Sequence, residues 1–249
     1  MKRATSLVPL LLAFLLWAPV QAGAWSNGVD GYNSFGTHDW ILREAIRALG
    51  DDASWVCVGI ALRATDDPDS LEGIDLASGT WWQVWDEWGV STWGGGPEAV
   101  EFWFRRTQHR LEQGDPCGAS RALGIMAHLV GDMAQPMHTD GTSALEHGVH
   151  SAFEHAVDER CTASSCIYEM HFNGRNIVGP YADALATARD AHPFYQRLIR
   201  AYWAHGYNNE VDQITRRQLD RAANVVADLL WTLQPQRSMF RGARSPVFR

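Results

Sequence analysis

Apolar side chains recur at the interval of an α-helix through most of this chain. The pattern predicts a helix over residues 37–49, with Thr37 as N-cap and Gly50 as terminator. A second is expected over 52–64, turning Trp55, Val56, Ile60 and Leu62 inward and ending in the acidic turn Thr65-Asp66-Asp67-Pro68-Asp69. Clustered aspartates around a proline favour turns through side-chain hydrogen bonds to their own backbone, and one of these could also serve as a metal ligand or base. Residues 70–96 are the least regular part, and strand-type alternation is not sustained there. Trp81, Trp85 and Trp88 fall at helical spacing, which predicts packing, with a pocket wall or a lipid-interface contact as the alternative.

From Pro97 the helical pattern resumes through Val100, Phe102, Trp103, Phe104 and Leu111 and stops before Gly114. A long helix over 118–135 follows, then one from about 144 to 158, a loop-rich segment to Gly179, and two closing helices over 181–203 and 210–233. The sequence shows neither an internal repeat nor a linker that would divide it. The expected fold class is therefore all-α, one bundle of seven or more helices spanning residues 25–233.

The ends depart from this pattern. Lys2 and Arg3, the apolar run to Val20 and the small-residue triplet Ala22-Gly23-Ala24 read as a secretory signal at residues 1–24. A membrane anchor is the rival reading, but the run from Ser6 to Val20 is short of the roughly 20 apolar residues that span a bilayer. A secreted or periplasmic protein is expected, with Trp25 as its new N-terminus. Residues 234–249 carry Arg237, Arg241, Arg244 and Arg249 among prolines and glycines and read as a flexible tail. The formal net charge of −8 becomes about −10 once Lys2 and Arg3 leave, which argues against a broad nucleic-acid or anionic-lipid footprint. Lys2 is the sole lysine, so lysine nucleophiles and Schiff bases are excluded from the mature chain.

Cys57, Cys117, Cys161 and Cys166 are even in number, which in an exported protein favours disulfides, with three connectivities open. Cys161 and Cys166 are near enough to close a small loop, leaving Cys57 for Cys117. Zinc binding by the four is the rival reading, and they lack the closely paired spacing of structural zinc sites.

The chemistry concentrates between His128 and Glu154. His128 with Asp132, and His150 with Glu154, are imidazole/carboxylate pairs four residues apart, a spacing that puts both side chains on one face of a helix. Pro136 should end the first helix and let His138 return toward the same place. Imidazole with carboxylate is the donor set of catalytic zinc, and five such residues within 27 on an apolar background are a strong signal. Burying His128 and Asp132 on so apolar a helix would be costly unless they are paired or metal-bound. His38, in the first turn of its helix, has two readings, exposed or functional. A free α-amino group at Trp25 could bind a metal together with its own carbonyl oxygen.

In this ordered set the chain resembles the zinc-dependent phospholipases C and, more distantly, the single-strand-specific zinc nucleases of the same fold. The likeness covers most of the mature sequence. It rests on Trp25, on His38 thirteen residues later, on Asp66, on H-x-x-x-D-x-x-x-P-x-H at His128, Asp132 and His138, and on H-x-x-x-E at His150 and Glu154. The resemblance implies a helical bundle of the phospholipase C/P1 nuclease type around three zinc ions. One would take His138, His150 and Glu154; another Trp25, His38 and a shared Asp132; the third Asp66, His128 and the other side of Asp132. It also implies Asp66 as general base in phosphodiester hydrolysis, with zinc polarising the phosphate and acidifying the attacking water.

The family has a further histidine where this chain has none from residue 67 to 108, so two zincs are the alternative unless Asp75, Asp86 or Glu87 fills the gap. Glu154, where the nucleases usually have Asp, favours a phospholipid substrate. A single-strand nuclease, or a zinc- and lipid-binding protein without catalysis, are the alternatives. The residue after Asp66 is another Asp rather than an aromatic, which weakens the case for a choline headgroup. Expected partners are the phosphodiester substrate and a transient membrane surface. The protein is expected to be a monomer without a stable nucleic-acid complex.

Overall fold

The structure is a computed structural model, described for Trp25 and for residues 34–70, 83–85, 90–176 and 178–233. The expected signal and tail, and Trp81, Trp82, Trp88, Asp75, Asp86 and Glu87, lie outside the described residues. The fold is all-α: helices α1 (Thr37–Leu49), α2 (Val58–Arg63), α3 (Asp67–Ser70), α4 (Gly96–Glu112), α5 (Pro116–Ala134), α6 (Glu146–Asp158), α7 (Pro180–Ala191), α8 (Tyr195–His205) and α9 (Asn209–Thr232), with one small hairpin of β1 (Gln83–Trp85) and β2 (Ser91–Gly94).

Helix α5 is the axis of the bundle. Its residues from Ala122 to Ala134 are all buried, as expected of a helix that is apolar on every side. Asp115 starts it by accepting the Gly118 amide at Oδ1, and Pro116 stands in the first turn, where a missing N–H costs nothing. Helices α1, α2, α4, α7 and α9 pack around it. The closest approach is at Gly124, where a Cβ would stand 2.2 Å from the Ala61 carbonyl oxygen of α2. Gly124→Ala is expected to destabilise the protein. A helical Gly→Ala exchange gains about 1 kcal/mol of propensity, but forcing apart two packed backbones costs about 1–3 kcal/mol and this clash is with a main-chain atom. Urea unfolding checks it, and an unchanged midpoint would mean that α2 can yield.

Three expected elements differ from those observed. The helix expected over 52–64 is broken: a 3₁₀ turn covers Gly50–Ala53 and the helix restarts at Val58, because the Cys57–Cys117 disulfide and the Cys57 amide bond to the Ser120 hydroxyl tie the chain to α5 at that point. The span 181–203 is two helices divided by a 3₁₀ turn at His192–Phe194, where Pro193 removes a backbone donor. Trp85 is buried in the core, the packing its spacing predicts, but it lies in a strand and not on a helix: β1 pairs antiparallel with β2 (Val84 opposite Trp93). Helix α1 starts where expected, but Gly36 occupies the cap position, and the Thr37 amide and hydroxyl both donate to Asp158. The second disulfide joins Cys161 to Cys166.

One irregular stretch is held without secondary structure. The amides of His171, Asn173, Asn176 and Val178 donate in turn to Asp220, Asn224, Asp228 and Thr232 of α9. Those four side chains stand one helical turn apart, about 6 Å, which two to three extended residues also cover. No helix among the described residues is long and apolar enough to cross a membrane.

Candidate metal centre

Two buried clusters of donors adjoin one another. His128 and Asp132, one turn apart on α5, are fully buried, and α1 brings in His38, also fully buried. The His38 and His128 rings stack at 3.8 Å between centroids. Asp132 lies between them, Oδ1 3.6 Å from His38 Nε2 and Oδ2 3.2 Å from His128 Nε2. This approach of α1 to α5 depends on Gly131, since a Cβ there would stand 2.7 Å from His38 Nδ1. His128 Nδ1 donates to the Thr65 carbonyl at 2.6 Å, so the ring presents Nε2 to the carboxylates.

The second cluster is built by the turn after α5 and by α6. His150 Nε2 is 2.8 Å and His138 Nε2 4.0 Å from Glu154 Oε1. The 3₁₀ turn Pro136–His138 delivers His138 as the proline predicts. Its neighbour Thr139 accepts at its carbonyl from both the Trp85 amide (3.2 Å) and His192 Nδ1 (2.9 Å), so the hairpin and the α7–α8 turn anchor this bend. Within each trio, His38/His128/Asp132 and His138/His150/Glu154, one ligand atom per residue can be chosen so that all lie within 4.8 Å of one another.

The structure places the other expected residues less uniformly. Trp25 is buried, its indole Nε1 donating to the Gly131 carbonyl at 2.9 Å, and its main-chain nitrogen donates to Glu154 Oε1 at 3.1 Å. That amide contact is with the Glu154 cluster, while the indole contact is with the residue preceding Asp132. Asp66 is 1% exposed, with Oδ1 3.4 Å from the Thr65 hydroxyl.

Sequence reasoning missed Glu146, Gln135, Tyr195 and the position of Asp69. Glu146 Oε1 lies 3.2 Å from His150 Nδ1, while its Oε2 accepts from Tyr195 at 2.5 Å. A carboxylate four residues before a ligand histidine, as well as one four after, was the available signal. Gln135 Nε2 donates to Glu154 Oε1 at 3.3 Å. Asp69 Oδ1 lies 3.6 Å from His128 Nε2, an approach that only the three-dimensional turn creates.

Electrostatically the centre has gathered more carboxylate than it can neutralise. Burial pushes Asp132 up to about 7, countered by His128 and reinforced by Asp69 and Glu154. Burial alone would depress His128, but Asp132 and Asp69 raise it to about 9; His150 is raised against burial to about 10, by Glu154 first and then Glu146. Without metal the cluster must hold protons to stay buried. His128 Nε2 and both Asp132 oxygens make no hydrogen bond of normal geometry among the described residues. This donor set, buried, histidine- and carboxylate-rich and short of positive charge, fits a divalent cation such as zinc.

Glu146→Gln should keep the fold and the Tyr195 contact but weaken metal binding at His150 by about tenfold to a hundredfold, the usual effect of removing a carboxylate behind a ligand histidine. Zinc titration by competition with a chromogenic chelator measures it, and an unchanged affinity would reduce Glu146 to a packing role.

No family model matches this sequence, and no curated protein matches it. Solved structures do. The alpha toxin from Clostridium absonum superposes with a TM-score of 0.58 at 16% identity, over 82% of this chain and 64% of that one. The Clostridium perfringens alpha-toxin from avian strain SWCP gives a TM-score of 0.52 at 13% identity, over 88% and 67%. The chain thus spans about two thirds of the length of these proteins and shares their helical fold.

Proposed function

We propose that this chain is a secreted zinc-dependent phosphodiester hydrolase, a phospholipase C that releases the phosphorylated headgroup of a phospholipid. The observation that carries the reading is the pair of adjoining buried His/His/carboxylate trios at the centre of a fold shared with the alpha-toxins. Zinc would be held by His138, His150 and Glu154, by His38 and Asp132 with the Trp25 amino and carbonyl groups, and by His128 with Asp132 and Asp66. Bound there, it supplies Lewis acidity that neutralises phosphate charge and acidifies water.

The remaining work belongs to the chain. Glu146, itself held by Tyr195, orients the His150 ring, and the Thr65 carbonyl does the same for His128. Asp66 is assigned as the base that takes the proton of the attacking water while phosphorus forms a bond to that oxygen and breaks its bond to the glycerol oxygen, to which the proton taken up by Asp66 is then passed, directly or through water. Trp25 contributes an amine only once residues 1–24 are removed, so cleavage of the leader is a condition of full activity.

The test is turnover of a chromogenic phosphodiester by the mature protein, abolished by a chelator and restored by zinc, with phospholipid vesicles and single-stranded DNA compared in the same assay. Zinc-loaded protein that hydrolyses none of these overturns the proposal. Faster cleavage of DNA than of phospholipid would move the assignment to a nuclease.

A further inference from the structure

Among the three aspartates of the turn before and within α3, the structure separates the roles. Asp67 is engaged by Arg121 at 2.6 Å, Asp66 is buried beside Thr65, and Asp69 faces His128. We propose that Asp69 is a ligand of a divalent cation shared with His128 and Asp132, and that this position takes a harder ion than the His138/His150/Glu154 position does. The inference rests on the reading of the centre as a metal site.

Three observations carry it. His128 is fully buried, and its Nδ1 bond to the Thr65 carbonyl turns Nε2 into the space between two carboxylates. Nε2 makes no hydrogen bond of normal geometry among the described residues, although Asp132 Oδ2 stands 3.2 Å and Asp69 Oδ1 3.6 Å away. Ligand atoms each about 2.1 Å from one tetrahedral ion stand roughly 3.4 Å from one another, so both separations are close to those of co-ligands, and the longer one, to Asp69, is too long for a hydrogen bond. Asp69 also keeps 18% of its side-chain surface exposed, which gives the position access to solvent.

Replacing imidazole by carboxylate changes what the site selects. A position of one histidine, His128, with the carboxylates of Asp66, Asp69 and Asp132 suits manganese better than one of two histidines and a carboxylate, which suits zinc. The resulting centre is mixed in character, with its most exchangeable ion at Asp69.

The mature protein is stripped of metal and titrated with Zn²⁺ and, separately, Mn²⁺, with bound metal counted by mass spectrometry and manganese followed by its paramagnetic resonance. Wild type should bind one equivalent in which Mn²⁺ competes with Zn²⁺. Asp69→Asn, close in shape, and Asp69→Ala should weaken that equivalent about tenfold or more while leaving the others in place. Asp69→His should restore it with Zn²⁺ preferred. Thermal melts of the stripped variants confirm that each is folded. If Asp69→Asn and Asp69→Ala keep every equivalent at unchanged affinity, Asp69 is an ion-pair partner of protonated His128 and the assignment is wrong, while zinc-dependent turnover would leave the proposed function standing. Wild type that binds neither metal overturns both.

Discussion

Asp132→Asn should remove two bound metal equivalents and lower phosphodiester turnover by at least about a thousandfold. Asp132 faces both His38 and His128, with a different oxygen toward each. An amide is a poor ligand at both positions, and several kcal/mol of transition-state stabilisation are at stake where a metal contacts phosphate, each 1.36 kcal/mol being tenfold. The variant should nevertheless fold. Burial already pushes the Asp132 carboxyl to about 7, so its loss relieves a buried charge as it removes the His128 ion pair. The melting temperature of metal-free Asp132→Asn should therefore lie close to that of metal-free wild type. A variant that folds, keeps its full zinc and turns over normally would exclude a bridging role.

The second large effect is an opposition of pH slopes. In the metal-free protein, His128 and His150 hold protons up to about 9 and about 10, against 6.5 when unfolded. That stability is complete below pH 6.5 and is lost as pH rises through 9 to 10. Asp132, raised from 3.8 to about 7, and Asp39, raised by burial to about 6, act in the same direction at lower pH, because the folded state again binds the extra proton. Metal-free protein should thus melt at steadily lower temperature from pH 5 to pH 9. Zinc displaces these protons, so its binding strengthens over the same range. At a free zinc concentration a thousandfold above the dissociation constant the gain is about 4 kcal/mol, or roughly 8–16 °C for a domain of this size. Calorimetry with and without chelator checks it: the gap should widen with pH, and parallel curves would separate the histidines from metal binding.

Much of this centre was legible because its spacing is that of the helix that carries it. Pairs four residues apart at His128/Asp132 and His150/Glu154, and a proline between them and His138, survive into the structure as neighbours on α5, its following turn and α6. His38, in the first turn of its helix, is singled out only by its place in the ordered set as a whole. Asp69 could not be chosen from Asp66 and Asp67, because all three satisfy the same turn chemistry and only the pairing of Asp67 with Arg121 and the position of His128 tell them apart. The hairpin escaped because strands of three and four residues carrying Gln83, Ser91 and Thr92 offer no sustained alternation. The broken helices escaped for a different reason: their interruptions at Cys57 and Pro193 are imposed by a covalent tie and by a missing donor, against a periodicity that continues through both.

The stretch from His171 to Val178 has a consequence for how the protein resists opening. It has the look of a loop, yet four of its amides end on α9 side chains spaced one turn apart. Those amides should exchange with solvent at the rate of α9, the longest helix among the described residues, rather than at the rate of a surface connection. Proteases should spare the segment for the same reason. A single residue deleted between Asn173 and Asn176 would put the later amides out of step with Asp228 and Thr232, so length here is constrained as tightly as it is inside a helix.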